Sequence, residues 1–217
     1  MRRYDYILLD WDGNIAQTLN VWPDALDTVL QKRGYNLTHQ QLVDSTWGFA
    51  AYVSEHTGLT YDEGMQLYAE ASDIVTKNSQ NVELFPGARE VLLQLKENGK
   101  HLALVTTSEY RMIAPTLEKF DLLNLFEAIV TDDDIERAER KPHPRPLLIA
   151  LKRMGGTPEA AIMVGDRDKD IEAGHNAGMA SALFCGPEHQ LHYDFEKLMA
   201  YNPTYVMKEF SDLLTIA

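Results

Sequence analysis

Asp10 and Asp12 stand one residue apart in the run Asp10-Trp11-Asp12-Gly13. On an extended strand that spacing turns both carboxylates to one face, and Gly13 allows the chain to turn tightly beside a ligand. One carboxylate of such a pair can attack phosphorus and form an aspartyl-phosphate. The other can protonate the leaving oxygen and then activate water for the second step. Further along stand Thr106-Thr107-Ser108, Lys141-Pro142 and Gly165-Asp166-Arg167-Asp168-Lys169-Asp170. Taken singly each run is ordinary: a loop of solvated acids, a strand end, a lysine, a helix cap. All of them in this order, each after its own apolar run, is not ordinary. If Asp10, Asp12, Asp166, Asp168 and Asp170 share an edge, they repel and some take up protons unless a cation intervenes. Oxygen donors without His or Cys select a hard ion such as Mg²⁺. A cation, a lysine and a hydroxyl together make a site for a phosphoryl group.

Short apolar runs precede these groups. Residues 6–9, 101–107, 127–132, 160–166, 181–184 and 205–207 are too short for helices and do not alternate, so they read as strands of a parallel sheet buried on both faces. Helical patterns lie between them. Pro86-Gly87 opens one that Gly99 stops. Ser108 is placed to cap one through Lys119, Pro144 or Pro146 opens one through Met154, and Asp168 is placed to cap one through Asn176. The alternation predicts an α/β fold, a Rossmann-like doubly wound parallel sheet. In such a sheet the strand C-termini line one ligand-binding edge. Residues 16–85 break the pattern. They carry capping signatures at Thr38-x-x-Gln41 and Thr60-x-x-Glu63 and apolar stripes at Leu26, Val29 and Leu30 and at Met65, Leu67, Tyr68, Ala71 and Ile74. The expected division is therefore a core of 1–15 and 86–217 with a small all-helical cap, 16–85, inserted after the first strand.

Composition narrows the classes. Hydrophobic residues make up 45% and charged residues 24% of the 217-residue chain, an ordinary globular balance. No apolar run approaches the ~18 residues of a membrane span. The 20 basic residues are outnumbered by 33 acidic ones, a net charge of −13, and no Lys/Arg-rich run offsets it, so no nucleic-acid partner is expected. Cys185 is the single cysteine. With an apolar stretch after Arg2-Arg3 too short for a signal peptide, it points to a cytoplasmic protein. Cys185 reads as buried packing, the stripe Leu191, Phe195, Leu198 and Met199 as a core-facing helix, and Trp47, Phe49 and Tyr52 as cap packing or, alternatively, a pocket lining.

DWDGNIAQT, VTTS, KPHP and VGDRDKD resemble the four motifs of the haloacid dehalogenase superfamily, and the chain as a whole looks most like its phosphoglycolate phosphatase-like branch. The resemblance implies a Mg²⁺-dependent phosphatase acting on a small phosphorylated metabolite. It makes Asp10 the nucleophile and Asp12 the general acid/base, with Thr106 on the phosphoryl group and Lys141 neutralising charge. Gly13 and Thr107 border the substrate. The Asp10 carboxylate, the Asp12 carbonyl and Asp166 hold the metal, and Asp170 holds a metal-bound water or orients Lys141. Two positions depart from the pattern: Asn14 replaces a usual Thr, and Gln17 stands where a carboxylate is common. A sugar phosphomutase of the same fold and a non-catalytic phospho-accepting module are the alternatives. Monomer and homodimer are both compatible with the sequence.

Overall fold

Among the described residues, short runs of Ile, Leu, Val and Ala form six strands: β1 (Tyr6–Leu9), β2 (His101–Val105), β3 (Ala128–Val130), β4 (Ala161–Gly165), β5 (Ala180–Phe184) and β6 (Tyr205–Met207). The structure, a computed structural model, describes residues 4–45 and 49–217. All pairings are parallel, in the order β3-β2-β1-β4-β5-β6, with Leu9 level with Leu104 on one side and Val164 on the other. Ile7, Leu8, Leu9 and Ile162 to Val164 are fully buried, as strands covered on both faces must be. The strand order reverses between β1 and β4, and ligands of doubly wound sheets bind beyond the strand C-termini at such a point.

The chain divides into two units, residues up to Gln17 with Val82–Ala217, and Thr18–Asn81. In the first, α5 (Ala88–Glu97), α6 (Tyr110–Lys119), α7 (Arg145–Met154), α8 (Asp168–Asn176), α9 (Phe195–Met199) and α10 (Leu213–Ile216) accompany the sheet. α7 packs on β2 and β3, and α8 on β4 and β5. Gly155 ends α7 in the left-handed region, φ 73°, the usual glycine stop. Residues 16, 17 and 82–85, read from sequence as part of the insert, belong to the sheet unit. There the Gln17 N–H donates to the Glu83 carbonyl at 2.9 Å, the Phe85 N–H to that of Ile15 at 2.9 Å, and Gln17 Nε2 to that of Leu84 at 2.8 Å. Gln17 thus ties two strands of chain together where a carboxylate could only accept.

The second unit holds α1 (Val21–Gln31), α2 (His39–Ser45), α3 (Phe49–Thr57) and α4 (Tyr61–Asn78). Thr60 and Glu63 cap α4 reciprocally, and Thr38 and Gln41 exchange the same bonds before α2. Leu26, Val29 and Leu30 are fully buried, but the α4 stripe differs from expectation. Gly64, Leu67, Ala71, Ser72 and Val75 face inward and Met65 is exposed, because Gly64 lets α3 approach: a Cβ there would lie 2.8 Å from Ala50 Cα. Trp22 stacks on Tyr68 at 5.0 Å. Phe49 is buried, Tyr52 stacks on His56, and Trp47 lies outside the described residues.

Three further expectations need correction. α6 begins after Glu109, not Ser108, whose hydroxyl is engaged elsewhere. Arg167, not Asp168, precedes α8, and the Asp170 carboxylate receives the Arg167 N–H at 3.2 Å. Of the 191–199 stripe only Leu198 is buried. Leu191 belongs to a separate 3₁₀ turn and is 74% exposed, so the i, i+4 spacing does not run along one helix. Cys185 is buried beside Ile171, Leu183 and Leu198, as packing. No described helix is long and apolar enough to cross a membrane.

Candidate active site

Asp10 follows β1 directly, and its N–H donates to the Val164 carbonyl at 2.9 Å, which extends the β1–β4 pairing by one residue and aims the side chain past the sheet edge. The chain then folds into a tight turn. The Trp11 carbonyl accepts from the N–H groups of Asn14, Ile15 and Ala16, and Gly13 takes φ 70°, which glycine adopts without strain. Asn14 is fully buried and its Nδ2 reaches the carbonyls of Asp10 at 3.0 Å and Val164 at 3.3 Å, so it stitches the turn to β4.

Thr106 leaves β2 as Asp10 leaves β1. It is buried, and its Oγ1 accepts the Ser108 N–H at 3.0 Å, leaving its own hydroxyl proton to donate. The turn that follows carries Ser108 to Asp12, where the hydroxyl donates to Oδ2 at 2.5 Å. Thr107 is half-buried between them.

Lys141 precedes α7 and is 6% exposed. Its Nζ donates to Asp10 Oδ1 at 2.7 Å, to Asp170 Oδ1 at 2.6 Å and to the Val105 carbonyl at 3.0 Å, which uses all three ammonium protons. Burial alone would lower its pKa, but the facing Asp10 and Asp170 carboxylates outweigh burial and raise it above the ordinary lysine value. Gly165, the last residue of β4, makes room for Asp170: a Cβ on it would lie 2.3 Å from Asp170 Cγ.

Asp166 stands at the end of β4, fully buried, with neither carboxylate oxygen hydrogen-bonded. Burial first, then repulsion from Asp170 and Asp10, pushes its carboxyl well above the usual range. The Arg167 guanidinium and the Tyr193 hydroxyl oppose that rise. Burial likewise pushes Asp10 up to about 7. Lys141 opposes that rise, while Asp170 and Asp12 add to it. Oxygens of Asp10, Asp166 and Asp170 all lie within 4.8 Å of one another. Two orphaned carboxylate oxygens beside two more carboxylates fit a hard divalent cation, which would replace the missing donors and the repulsion together.

The structure therefore brings Asp10, Lys141, Asp166 and Asp170 into one cluster, with Asp12 and Thr106 on the adjoining turns. The Asp12 side chain turns to Ser108, outside the carboxylate group. Gly13 shapes the turn, and Asp168 stays half-buried near the Arg167 guanidinium, 3.8 Å away. Sequence reading missed Ser108 as a partner of Asp12, although it directly follows the Thr pair. It also missed His189, which is fully buried with Nε2 2.6 Å from the Gly13 carbonyl; 176 positions of separation left no local signal.

The family model for haloacid dehalogenase-like hydrolases matches residues 7–184. The chain belongs to that family. It is 28% identical over 220 residues to a phosphoglycolate phosphatase of Photorhabdus laumondii, covering 96% of this chain and 90% of that one. It is 37% identical over 135 residues to the pyrophosphatase PpaX of Bacillus cereus, covering 62% of this chain but only 60% of that protein's length. Among solved structures, a predicted phosphoglycolate phosphatase from Haemophilus somnus superimposes with a TM-score of 0.83 at 23% identity, over 100% of this chain and 99% of that one. A family hydrolase from Deinococcus radiodurans gives 0.77 at 22% identity, over 98% and 94%. These likenesses establish the fold.

Proposed function

We propose that the protein is a divalent-cation-dependent phosphatase, with Mg²⁺ the fitting ion, that hydrolyses a small phosphorylated metabolite through an aspartyl-phosphate on Asp10. The observation that carries this reading is the buried group in which Lys141 clasps Asp10 and Asp170 while Asp166 keeps both oxygens unpaired. Relatives named phosphoglycolate phosphatase and pyrophosphatase support phosphoryl chemistry.

Lys141 holds Asp10 by Oδ1, which leaves Oδ2 to attack phosphorus. The bond from phosphorus to the leaving oxygen breaks as the new one forms, and the Asp12 carboxyl delivers its proton to that oxygen. In the second step the Asp12 carboxylate takes a proton from water, the water oxygen bonds to phosphorus, and Asp10 leaves as a carboxylate. Ser108 orients the Asp12 carboxyl through Oδ2. The Thr106 hydroxyl donates to a phosphoryl oxygen. Asp10, Asp166 and Asp170, with the Asp12 carbonyl, would hold the cation, which supplies charge neutralisation between carboxylates and phosphoryl group. Fixed donors of this kind act most strongly where water is excluded, and residues 18–81, proposed as a cap, are assigned the choice of substrate.

A panel of small phosphomonoesters and pyrophosphate, assayed with Mg²⁺ and with chelator, tests the proposal. Release of inorganic phosphate from some panel members with Mg²⁺ alone supports it. Turnover undiminished by chelator, or an isomeric sugar phosphate without free phosphate, contradicts it.

A further inference from the structure

His189 is buried completely, is used by no step above, and reaches across the fold to the turn that carries both reactive acids. Its Nδ1 lies 3.1 Å from the Gly186 N–H and its Nε2 lies 2.6 Å from the Gly13 carbonyl. A backbone donor at one nitrogen and a backbone acceptor at the other assign the single ring proton to Nε2. Burial lowers its pKa, so the neutral tautomer that fits both bonds is the one retained. The ring cannot swing away. It stacks on Phe85 at 5.2 Å and 15° and meets the edge of Phe184 at 4.8 Å.

We propose that His189 is a positioning residue: by holding the Gly13 carbonyl it fixes the Asp10–Ala16 turn and so the placement of Asp12 relative to Asp10. Asn14 anchors the start of the turn to β4. Within the turn the Trp11 carbonyl receives the N–H groups of residues 14 to 16, and the Gly13 N–H donates to the Ala16 carbonyl. Gly13, in the left-handed region, directly follows Asp12 in this turn, and His189 holds its carbonyl. Relaxation of the turn by a fraction of an ångström would move a proton donor off the leaving oxygen, and such displacements are costly in rate. This inference rests on the phosphatase reading for its kinetic consequence and on the hydrogen bonds and ring contacts of His189 for the restraint.

The test pairs two variants. His189→Phe keeps a flat ring on Phe85 and loses the donor, and His189→Gln keeps an amide donor. The expected result for His189→Phe is kcat reduced about tenfold or more with KM within about twofold, and recovery of most of that loss by His189→Gln. Hydrogen exchange of the residue 13–16 amides, measured without substrate, should accelerate in the Phe variant and return towards wild type with Gln. Unchanged kcat and exchange in the Phe variant, or a Gln variant as impaired as Phe, would overturn the proposal. If the Phe variant does not fold, the Gln variant decides alone: near-native kcat and exchange support the restraint, and a tenfold loss counts against it. If the wild type hydrolyses nothing on the panel, the phosphatase reading fails, while the exchange comparison still judges the restraint.

Discussion

A carboxylate as enclosed as Asp10 is a poor place for negative charge, and its proton affinity shows it. The folded protein holds that proton up to a pH of about 7, against 3.8 for the ordinary group. Between those values the native state binds more protons than the unfolded chain, so this group makes stability fall as pH rises. Asp166, raised for the same reason, acts in the same sense. We predict that the chelator-treated protein melts at a lower temperature at about pH 8 than at about pH 6, and that Asp10→Asn reduces the difference. A melting temperature that rises across that interval would contradict the assignment. Lys141 is the counterweight. Lys141→Met would leave Asp10 and Asp170 facing each other without the ammonium, at a cost of about 3–5 kcal/mol near pH 8 and less in acid, where Asp10 takes up its proton. Denaturant titrations at both pH values check this. That Asp10, Lys141, Asp166 and Asp170 would gather was readable from their order in the chain. Their ionisation was not, because it depends on burial that no local pattern encodes.

Elements place the chemistry by ending where they do. β1, β2 and β4 stop at Asp10, Thr106 and Asp166, and α8 begins so that Asp170 returns over Gly165. Gly165→Ala would force the Asp170 carboxylate aside and with it the Lys141 contact. The prediction is a loss of about 1–3 kcal/mol in stability together with a fall in kcat of about tenfold or more, read by melting and steady-state kinetics. Normal kinetics would show that Asp170 does not set the position of Lys141. Strands and most helices followed from apolar runs and Pro/Gly punctuation. The exceptions have local causes. Ser108 gave its hydroxyl to Asp12 instead of a helix end, and the 191–199 stripe is interrupted because α9 is only five residues long. Gly64 shifted the inward face of α4 by letting α3 come close.

At the scale of the molecule, the reversal of strand order between β1 and β4 gathers residues 10, 106, 141, 166 and 170 from across the chain, and all of them lie in the sheet unit. A cation bound there stabilises the native state by mass action. Mg²⁺ at about 100 times its dissociation constant should add about 2.7 kcal/mol, visible as a rise in melting temperature that Asp166→Asn removes. A Mg²⁺-independent melt would contradict the metal site. The doubly wound class could be read from alternating elements, whereas His189 on Gly13 could not, since only the finished fold brings them together.

The most direct test is covalent trapping. Asp12→Ala protein, mixed with Mg²⁺ and an aryl phosphate that the wild type hydrolyses and whose leaving group departs without protonation, is acid-quenched, digested and examined by mass spectrometry. The account predicts a phosphoryl group on the peptide containing Asp10 and on that residue, absent when Asp10→Asn is added. A phosphoryl group on any other residue would contradict it, as would wild-type protein that turns over without phosphorylated Asp10 at any quench time.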